Sequence, residues 1–255
     1  MNQLPDPRHD PRSVDELFCA ALTEQPDDED DAYWDAISAL NFRGTREVFE
    51  RGAALCRSHC AIERRIGADV LAQLGVPERT LPAECIALLL SMLRADEEPA
   101  LLHSVLIALS HHEAPQSIHP AVRFLRHADE DVRYAVVAAL TGYDHPLAVE
   151  SLIELSTDKA DQVRDWATFA LAQQLDSDTP EIRAGLAARL DDPYEDCCGE
   201  AMIGLARRRD PRAPAAVERE LRLNPHSDFA AEAAELIAGT AAASLYCPPA
   251  SSNPG

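Results

Sequence analysis

The residues of this sequence best placed to do chemistry are its acids. Five short segments hold 17 of the 44 Asp and Glu residues: Pro26-Asp27-Asp28-Glu29-Asp30-Asp31, Asp96-Glu97-Glu98, Asp129-Glu130-Asp131, Asp158-Lys159-Ala160-Asp161 and Asp191-Asp192-Pro193-Tyr194-Glu195-Asp196. Each lies just before an apolar segment with helical spacing, where one Asp serves as a helix cap and partner of the helix dipole. One cap per segment leaves a surplus, which either keeps the chain soluble or attracts a basic partner through its field. The acids expected to form such a ridge are Asp28, Asp30, Asp96, Asp129, Asp131, Asp161, Asp192 and Asp196.

The whole chain agrees with that sign. Its 255 residues carry 23 Lys and Arg against 44 acids, a net charge of −21, and Lys159 is the only lysine. Sequence-independent binding of nucleic acid works by neutralising phosphates, so this charge argues against it and against adhesion to anionic membranes. The longest apolar stretch, Cys85 to Leu93, is about half a membrane span. The opening residues Met1–Asp6 have neither a basic region nor an apolar core, so no secretory leader is expected there. Seven cysteines are an odd count for a disulfide framework. The expectation is a reducing, cytoplasmic setting, with Cys19, Cys56, Cys60 and Cys85 as small buried residues.

Other reactive types form weaker groupings. His111, His112 and His119 share one loop and His145 sits in the next, a conceivable divalent-ion site or simply solvated turns. Cys56, His59 and Cys60 lack an evident fourth ligand. Cys197-Cys198 falls at an expected helix start, where a thiolate is stabilised. Arg207-Arg208-Arg209 falls at an expected helix end, either as dipole partner or as an anion site. There is no Gly-rich phosphate loop, no Gly-x-Ser-x-Gly, no Cys-x-x-Cys and no His-Glu-x-x-His. No catalytic residue, metal or cofactor is therefore assigned.

The elements that must carry these residues repeat. Apolar helical segments close on Leu40, Leu71, Leu109, Leu140, Leu171, Leu205 and Leu236, separated by 31, 38, 31, 31, 34 and 31 residues. The long interval has room for its extra residues in Gly75-Val76-Pro77-Glu78-Arg79-Thr80. With the leucine as position 9 of a helix, apolar or small residues fall mostly at positions 1, 5, 8, 9 and 12, which share one face. An apolar segment precedes each such helix, and Pro120, Pro146, Pro180 and Pro214 mark the starts of four of them. Strand signals are nearly absent. The reading is an all-α stack of about seven helical hairpins over residues 13–240, with loose tails at 1–12 and 241–255.

The combination of an acid, Val-Arg and small residues ahead of a closing leucine resembles the HEAT-like repeats first recognised in phycobilin lyases. Asp161, Val163, Arg164, Ala167, Ala170 and Leu171 carry most of it, Asp129 to Leu140 matches nearly as well, and the turn Asp210-Pro211-Arg212 is similar to the family's inter-repeat turn. The likeness spans about residues 13–240 and is sharp over about 117–212. The outer repeats depart from it: Tyr33 and Leu102 stand at the arginine position, as does Cys198 in the sixth unit. The resemblance implies a right-handed α-solenoid. It also implies that Arg64, Arg133 and Arg164 tie adjacent repeats together by pairing with acids and helix ends.

In solenoids of this kind the second helices line the concave side. Positions 3 and 7 there read Trp34, Arg65, Asp69, His103, Ile107, Tyr134, Asp165 and Phe169, with Trp166 at the boundary. Aromatic and charged residues in one exposed row suit a protein-binding surface; the plainer reading is that Trp34 and Phe169 fill gaps between repeats. The expectation is a non-enzymatic module that binds a basic protein, as an immunity or antitoxin protein does, or else a scaffold in a larger assembly. Two relatives implied by the resemblance are enzymes, bilin lyases and alkylpurine DNA glycosylases. No marker of a tetrapyrrole pocket is present, and Trp34, Tyr134, Asp165 and Trp166 suit a glycosylase groove only superficially, because the net charge opposes a DNA duplex. The fold alone does not decide among these.

Overall fold

The computed structural model describes residues 7–24, 31–95 and 97–245, and all regular structure among them is helical. The helices pair as seven hairpins: α1 (Val14–Glu24) with α2 (Asp31–Arg43), α3 (Arg46–Leu55) with α4 (Ala61–Ala72), α5 (Pro82–Ala95) with α6 (Pro99–His111), α7 (Ile118–Val122) with α8 (Glu130–Leu140), α9 (Pro146–Leu155) with α10 (Asp161–Gln173), α11 (Pro180–Ala187) with α12 (Glu195–Arg207), and α13 (Ala213–Leu223) with α14 (Asp228–Leu245). They divide into two compact units, Met1–Leu140 and Thr141–Gly255. In the first, α2, α4, α6 and α8 pack side by side as one layer; in the second, α10, α12 and α14 do the same. The even-numbered helices are the second helices of the repeat, so each unit has one continuous second-helix face.

Local chemistry sets the ends of these helices. Ser13 and Glu16 form a reciprocal capping box at the start of α1, with Ser13 N–H donating to Glu16 Oε2 at 2.7 Å and Glu16 N–H to Ser13 Oγ at 3.2 Å. Thr45 and Thr179 cap α3 and α11, Glu98 caps α6, and Asp129 Oδ1 accepts from the N–H groups of Asp131 and Val132. Proline opens α9 and α11 and lies in the first turn of α7 and α13, where its missing N–H removes no intrahelical bond.

Packing follows the leucine period. Leu40, Leu71, Leu109, Leu140, Leu171 and Leu205 are completely buried; Leu236, in the last described hairpin, is only half-buried. The 38-residue interval is taken up where expected, between α4 and α5. There Gly75 adopts φ +79°, and Thr80 Oγ1 donates to Gly44 O at 2.6 Å. A Cβ on Gly67 would stand 2.6 Å from Cys56 N and 2.8 Å from Gly52 O, so only glycine lets α4 cross α3 this closely.

The repeat arginines do one recurring job. The Nη1 groups of Arg64, Arg133 and Arg164 each donate to two carbonyls of the turn within their own hairpin, those of residues 58 and 59, 127 and 128, and 158 and 159. Arg164 also reaches the next repeat, where its Nε and Nη2 meet Asp192 at 3.1 and 3.0 Å. The expected tie between repeats is thus drawn by Arg164. In the second unit Arg212 and Arg183 converge on Asp210, and the Arg212 hydrogen bond leads in holding that carboxyl at about 2.

Several expectations need correction. Pro7–His9 form a 3-10 turn, Arg12 pairs with Asp10 at 2.6 Å, and Arg43 donates to the carbonyls of Asp10 and Arg12. The segment 7–12 is therefore fastened to α2 rather than loose. At the other end α14 runs to Leu245, and 246–255 lie outside the described residues. Cys19 and Cys60 are exposed, on the outer sides of α1 and of the α3–α4 turn, while Cys56 and Cys85 are buried as expected.

Candidate functional site

In the first unit the second-helix face encloses a cavity of about 630 Å3. Trp34, Ile37, Asn41 and Phe42 of α2, Asp69 and Ala72 of α4, Val76 and Pro77 of the connecting loop, and Ser104, Ile107 and His111 of α6 line it. Asp69 was expected on an exposed row but is buried, because α2 and α6 close over it from both sides. Tyr33 Oη donates to Asp69 Oδ2 at 2.7 Å, and Ser104 supplies a second hydroxyl. Burial raises the Asp69 carboxyl to about 6, against the pull of Tyr33, Ser104 and Arg65. Tyr33 occupies the position where the repeat calls for arginine, so this departure places a hydroxyl donor on the acid of the next repeat. Trp34 stands edge-on to Tyr33 at 4.9 Å and remains 45% exposed at the cavity mouth.

A second cavity of about 360 Å3 joins the two sets of expected residues. Arg65 and His103 from the second-helix face meet Asp129 and Asp131 from the acidic turns, together with Glu98, Pro99 and Ala100. Farther along, His103 and Tyr134 stack at 6.4 Å.

The second-helix face of the second unit is different in kind. Asp165 on α10, Asp196 and Glu200 on α12 and Glu232 on α14 act on one another as like charges. Burial and the charge of Asp196 push the Asp165 carboxyl up to about 6, and its Oδ1 is buried with no hydrogen-bond partner. Burial likewise raises Glu200, whose Oε2 accepts from Gln173 Nε2 at 2.7 Å while Asp165, Glu232 and Asp196 add to the rise. Trp166 and Phe169 form an edge-to-face pair at 5.6 Å beside these acids, and Trp166 is 42% exposed. Phe169 is half-buried.

The acidic ridge proves heterogeneous. Asp131, Asp161 and Asp196 are exposed, and Asp129 is half-buried as a cap. Asp192 does not belong on an exposed ridge. Its side chain is 2% exposed and bridges Arg164 and Arg189, because Arg164 reaches across from the preceding repeat. Asp28, Asp30 and Asp96 lie outside the described residues.

The remaining candidates are spent structurally. His112 Nε2 bonds the Leu71 carbonyl at 2.9 Å, and His145 Nδ1 accepts from Leu147 N–H at the start of α9. Among the described residues no three His, Cys, Asp or Glu side chains are grouped to hold a metal ion. Cys197 and Cys198 do not have stabilised thiolates; burial raises both, Cys197 to about 11, because α12 starts two residues earlier and turns them inward. Arg208 is not at an anion site. It is buried and donates to the carbonyls of Leu171, Ala172, Leu175, Ser177 and Gly204, closing the C-terminal end of α10. Asn41 and Ser104 escaped the reading by position, since positions 3 and 7 single out neither of them. The replacement of arginine by Tyr33 and an acid inside the apolar run Ile66–Ala72 were the available signals.

Comparison with known proteins follows the same lines. Residues 86–172 match the family model for HEAT repeats. Protein YibA of Escherichia coli K12 is 25% identical over 202 residues, spanning 76% of this chain and 71% of its own length, and YibA of Escherichia coli O157:H7 matches to the same extent. An X-ray structure of Escherichia coli YibA superposes with a TM-score of 0.73 at 24% identity, covering 89% of this chain and 82% of that one. That identity speaks for the fold. No helix among the described residues is long and apolar enough to cross a membrane. Residues 86–172 are HEAT repeats, and the chain has the all-helical fold of a HEAT-like repeat protein.

Proposed function

We propose that this chain is a non-enzymatic binding module whose second-helix face, in the second unit, receives a basic protein partner. The observation that carries this reading is the set Asp165, Asp196, Glu200 and Glu232. Burial raises the carboxyls of Asp165 and Glu200, and the neighbouring acids add to the rise: Asp196 at Asp165, and Asp165, Glu232 and Asp196 at Glu200. Like charges held together on one face destabilise the free protein and are relieved by an incoming cation, so the free energy spent in folding returns as affinity. Trp166 and Phe169 beside the acids supply the apolar anchor that protein interfaces concentrate at their centres. The net charge of −21 would steer such a partner over distance and disfavours a DNA duplex or an anionic membrane. The partner is read as one that this chain sequesters in the cytoplasm, in the manner of an immunity protein.

The test is capture from the native host's lysate at low and high salt, using the wild-type chain and an Asp165→Lys, Asp196→Lys double variant. A basic protein held by the wild type, released by salt and lost on the variant supports the reading. The same proteins retained on both baits overturn it. Several large assembly subunits retained irrespective of salt would replace it with the scaffold reading. Formation of abasic sites in alkylated duplex DNA incubated with the chain would replace it with a glycosylase.

A further inference from the structure

The cavity of the first unit contains a polar group that the fold itself does not use. Asn41 is 7% exposed, lines the cavity from α2, and its Oδ1 has no hydrogen-bond partner. A buried amide oxygen left unpaired carries its full desolvation penalty. Across the cavity, on α4, lies the Asp69 carboxylate. Its two oxygens offer about four acceptor positions, and the hydroxyls of Tyr33 and Ser104 are the donors that meet them. Two acceptors on two different helices thus face one space, and no donor of the cavity wall is matched to Asn41.

The rest of the wall selects the shape of the occupant. Trp34 and Phe42 are both large, apolar and partly exposed, at 45% and 39%, and with Ile107, Val76 and Pro77 they form an apolar rim interrupted by Ser38 and Gln73. The cavity volume of about 630 Å3 falls within the range of small-molecule sites. An aromatic rim above a carboxylate favours a flat cation, since the ring faces attract positive charge and stack on a planar group. An anion is repelled by Asp69, and a purely apolar group leaves Asn41 Oδ1 without a donor. A spherical ammonium stacks poorly, whereas a planar fork of N–H groups reaches two acceptors at once. Burial and the charge of Arg79 lower the His111 imidazole on the wall of the same cavity, which favours its neutral form.

We propose that this cavity binds a planar guanidinium or amidinium group, whose N–H groups donate to Asn41 Oδ1 and to the Asp69 carboxylate while its face lies against Trp34. The group can belong to a small guanidine or amidine, or to an arginine side chain of a bound polypeptide. The inference does not depend on the acidic face of the second unit; failure to capture a basic protein leaves it standing.

The chain contains two tryptophans, Trp34 and Trp166. A Trp166→Phe variant therefore makes Trp34 the sole tryptophan reporter, and its fluorescence is followed during titration with benzamidine and with a Gly-Arg-Gly tripeptide blocked at both ends. Benzamide and benzoate, flat but neutral and anionic, are the controls. The expected result is a saturable change with benzamidine at about 1 mM or below, absent with benzoate, and weakened roughly tenfold by Asn41→Ala, which removes one hydrogen bond to a charged donor. Asn41→Ala leaves intact the backbone carbonyl that accepts from Gly75 N–H at 2.7 Å, so the fold is retained. Asp69→Asn in the same background is expected to weaken binding by at least as much. Binding of the tripeptide at comparable or lower concentration assigns the site to arginine side chains; binding of benzamidine alone assigns it to free small molecules. No saturable response to either probe, equal binding of benzoate, or undiminished binding to Asn41→Ala overturns the proposal.

Discussion

The two units solve the same construction problem with different chemistry on their second-helix faces. In the first, one carboxylate, Asp69, is enclosed and supported by the hydroxyls of Tyr33 and Ser104. In the second, Asp165 sits among Asp196, Glu200 and Glu232, and its buried Oδ1 meets no donor. The frames beneath differ too. The end of α4 in the first unit is met by His112 and Arg79, whose bonds to Leu71 O and Ala72 O span 2.9 and 3.4 Å. The end of α10 in the second is closed by Arg208, with bonds of 2.8, 3.0 and 3.1 Å among its set. Asp165 of the second unit thus sits on a helix whose end is held by several carbonyl bonds from one arginine, and the enclosed carboxylate of the first on a helix whose end is met by single bonds from His112 and Arg79.

The sharpest way to break this comparison is to remove the ties. Arg208→Met would leave several buried carbonyls at the end of α10 without a donor, at a cost on the order of 3–5 kcal/mol. His112→Ala deletes a single neutral bond and should cost about 1–2 kcal/mol. Urea unfolding of the full chain measures both, and amide hydrogen exchange locates them. Protection should fall first in α10 and α12 for Arg208→Met and in α4 for His112→Ala. Equal costs would mean that the arginine network does not distinguish the units.

Asp192 tests the same network at its other end. Burial alone would raise its carboxyl, but the hydrogen bonds from Arg164 and its own cap of Tyr194 outweigh that and hold it below the ordinary value. A depressed carboxyl contributes stability above its unfolded value near 3.8, and loses it as pH falls through the folded value. Asp192→Ala should therefore cost about 2–3 kcal/mol at pH 7, since it removes the buried acid that Arg164 and Arg189 share and leaves Arg164 with Asp161 and its turn carbonyls. The difference from wild type should shrink progressively below about pH 4. A pH-independent cost would show that Asp192 acts through packing and capping alone.

How much of this was legible beforehand varies with distance in the chain. The hairpins were readable because a buried leucine, small residues and Pro or Asp starts are local signals repeated seven times, and repetition averages out noise. The turn arginines were readable as structural through the resemblance, as ties between repeats; the bonds to carbonyls five and six residues away in their own turns emerge only from the packed hairpin. The cavity was not. Asp69 looks like a surface acid at position 7 until α2 and α6 are placed around it, and the value of Asn41 depends on the absence of a partner that no spacing rule records. Asp192 misled for the converse reason: in sequence it is one of four acids in a turn, yet Arg164, 28 residues earlier, has already claimed it. Counting acids predicts a field, but only the packed arrangement says which of them are left to act on a partner.

The smallest effects discriminate most finely between the two faces. Both Asp69 and Asp165 have carboxyls raised to about 6. A carboxyl raised on folding weakens the folded state fully at any pH above its folded value, and the penalty fades as pH falls from about 6 toward the unfolded value of about 3.9. Asp165→Asn removes that penalty and gives up no hydrogen bond at the buried oxygen. After discounting for partial solvent screening it should stabilise the chain by about 1 kcal/mol at pH 7, a gain that disappears near pH 4. Asp69→Asn removes a similar penalty but exchanges two hydroxyl bonds to a carboxylate for weaker ones to an amide, so its net effect should lie within about 0.5 kcal/mol of zero. Thermal melts of the two variants from pH 4 to 8 read this difference directly. If Asp69→Asn stabilised more than Asp165→Asn, the hydroxyls of Tyr33 and Ser104 would not be supporting the first unit's acid. The contrast between an enclosed, supported carboxylate and an unsupported acidic surface would then collapse into one shared feature of the repeat.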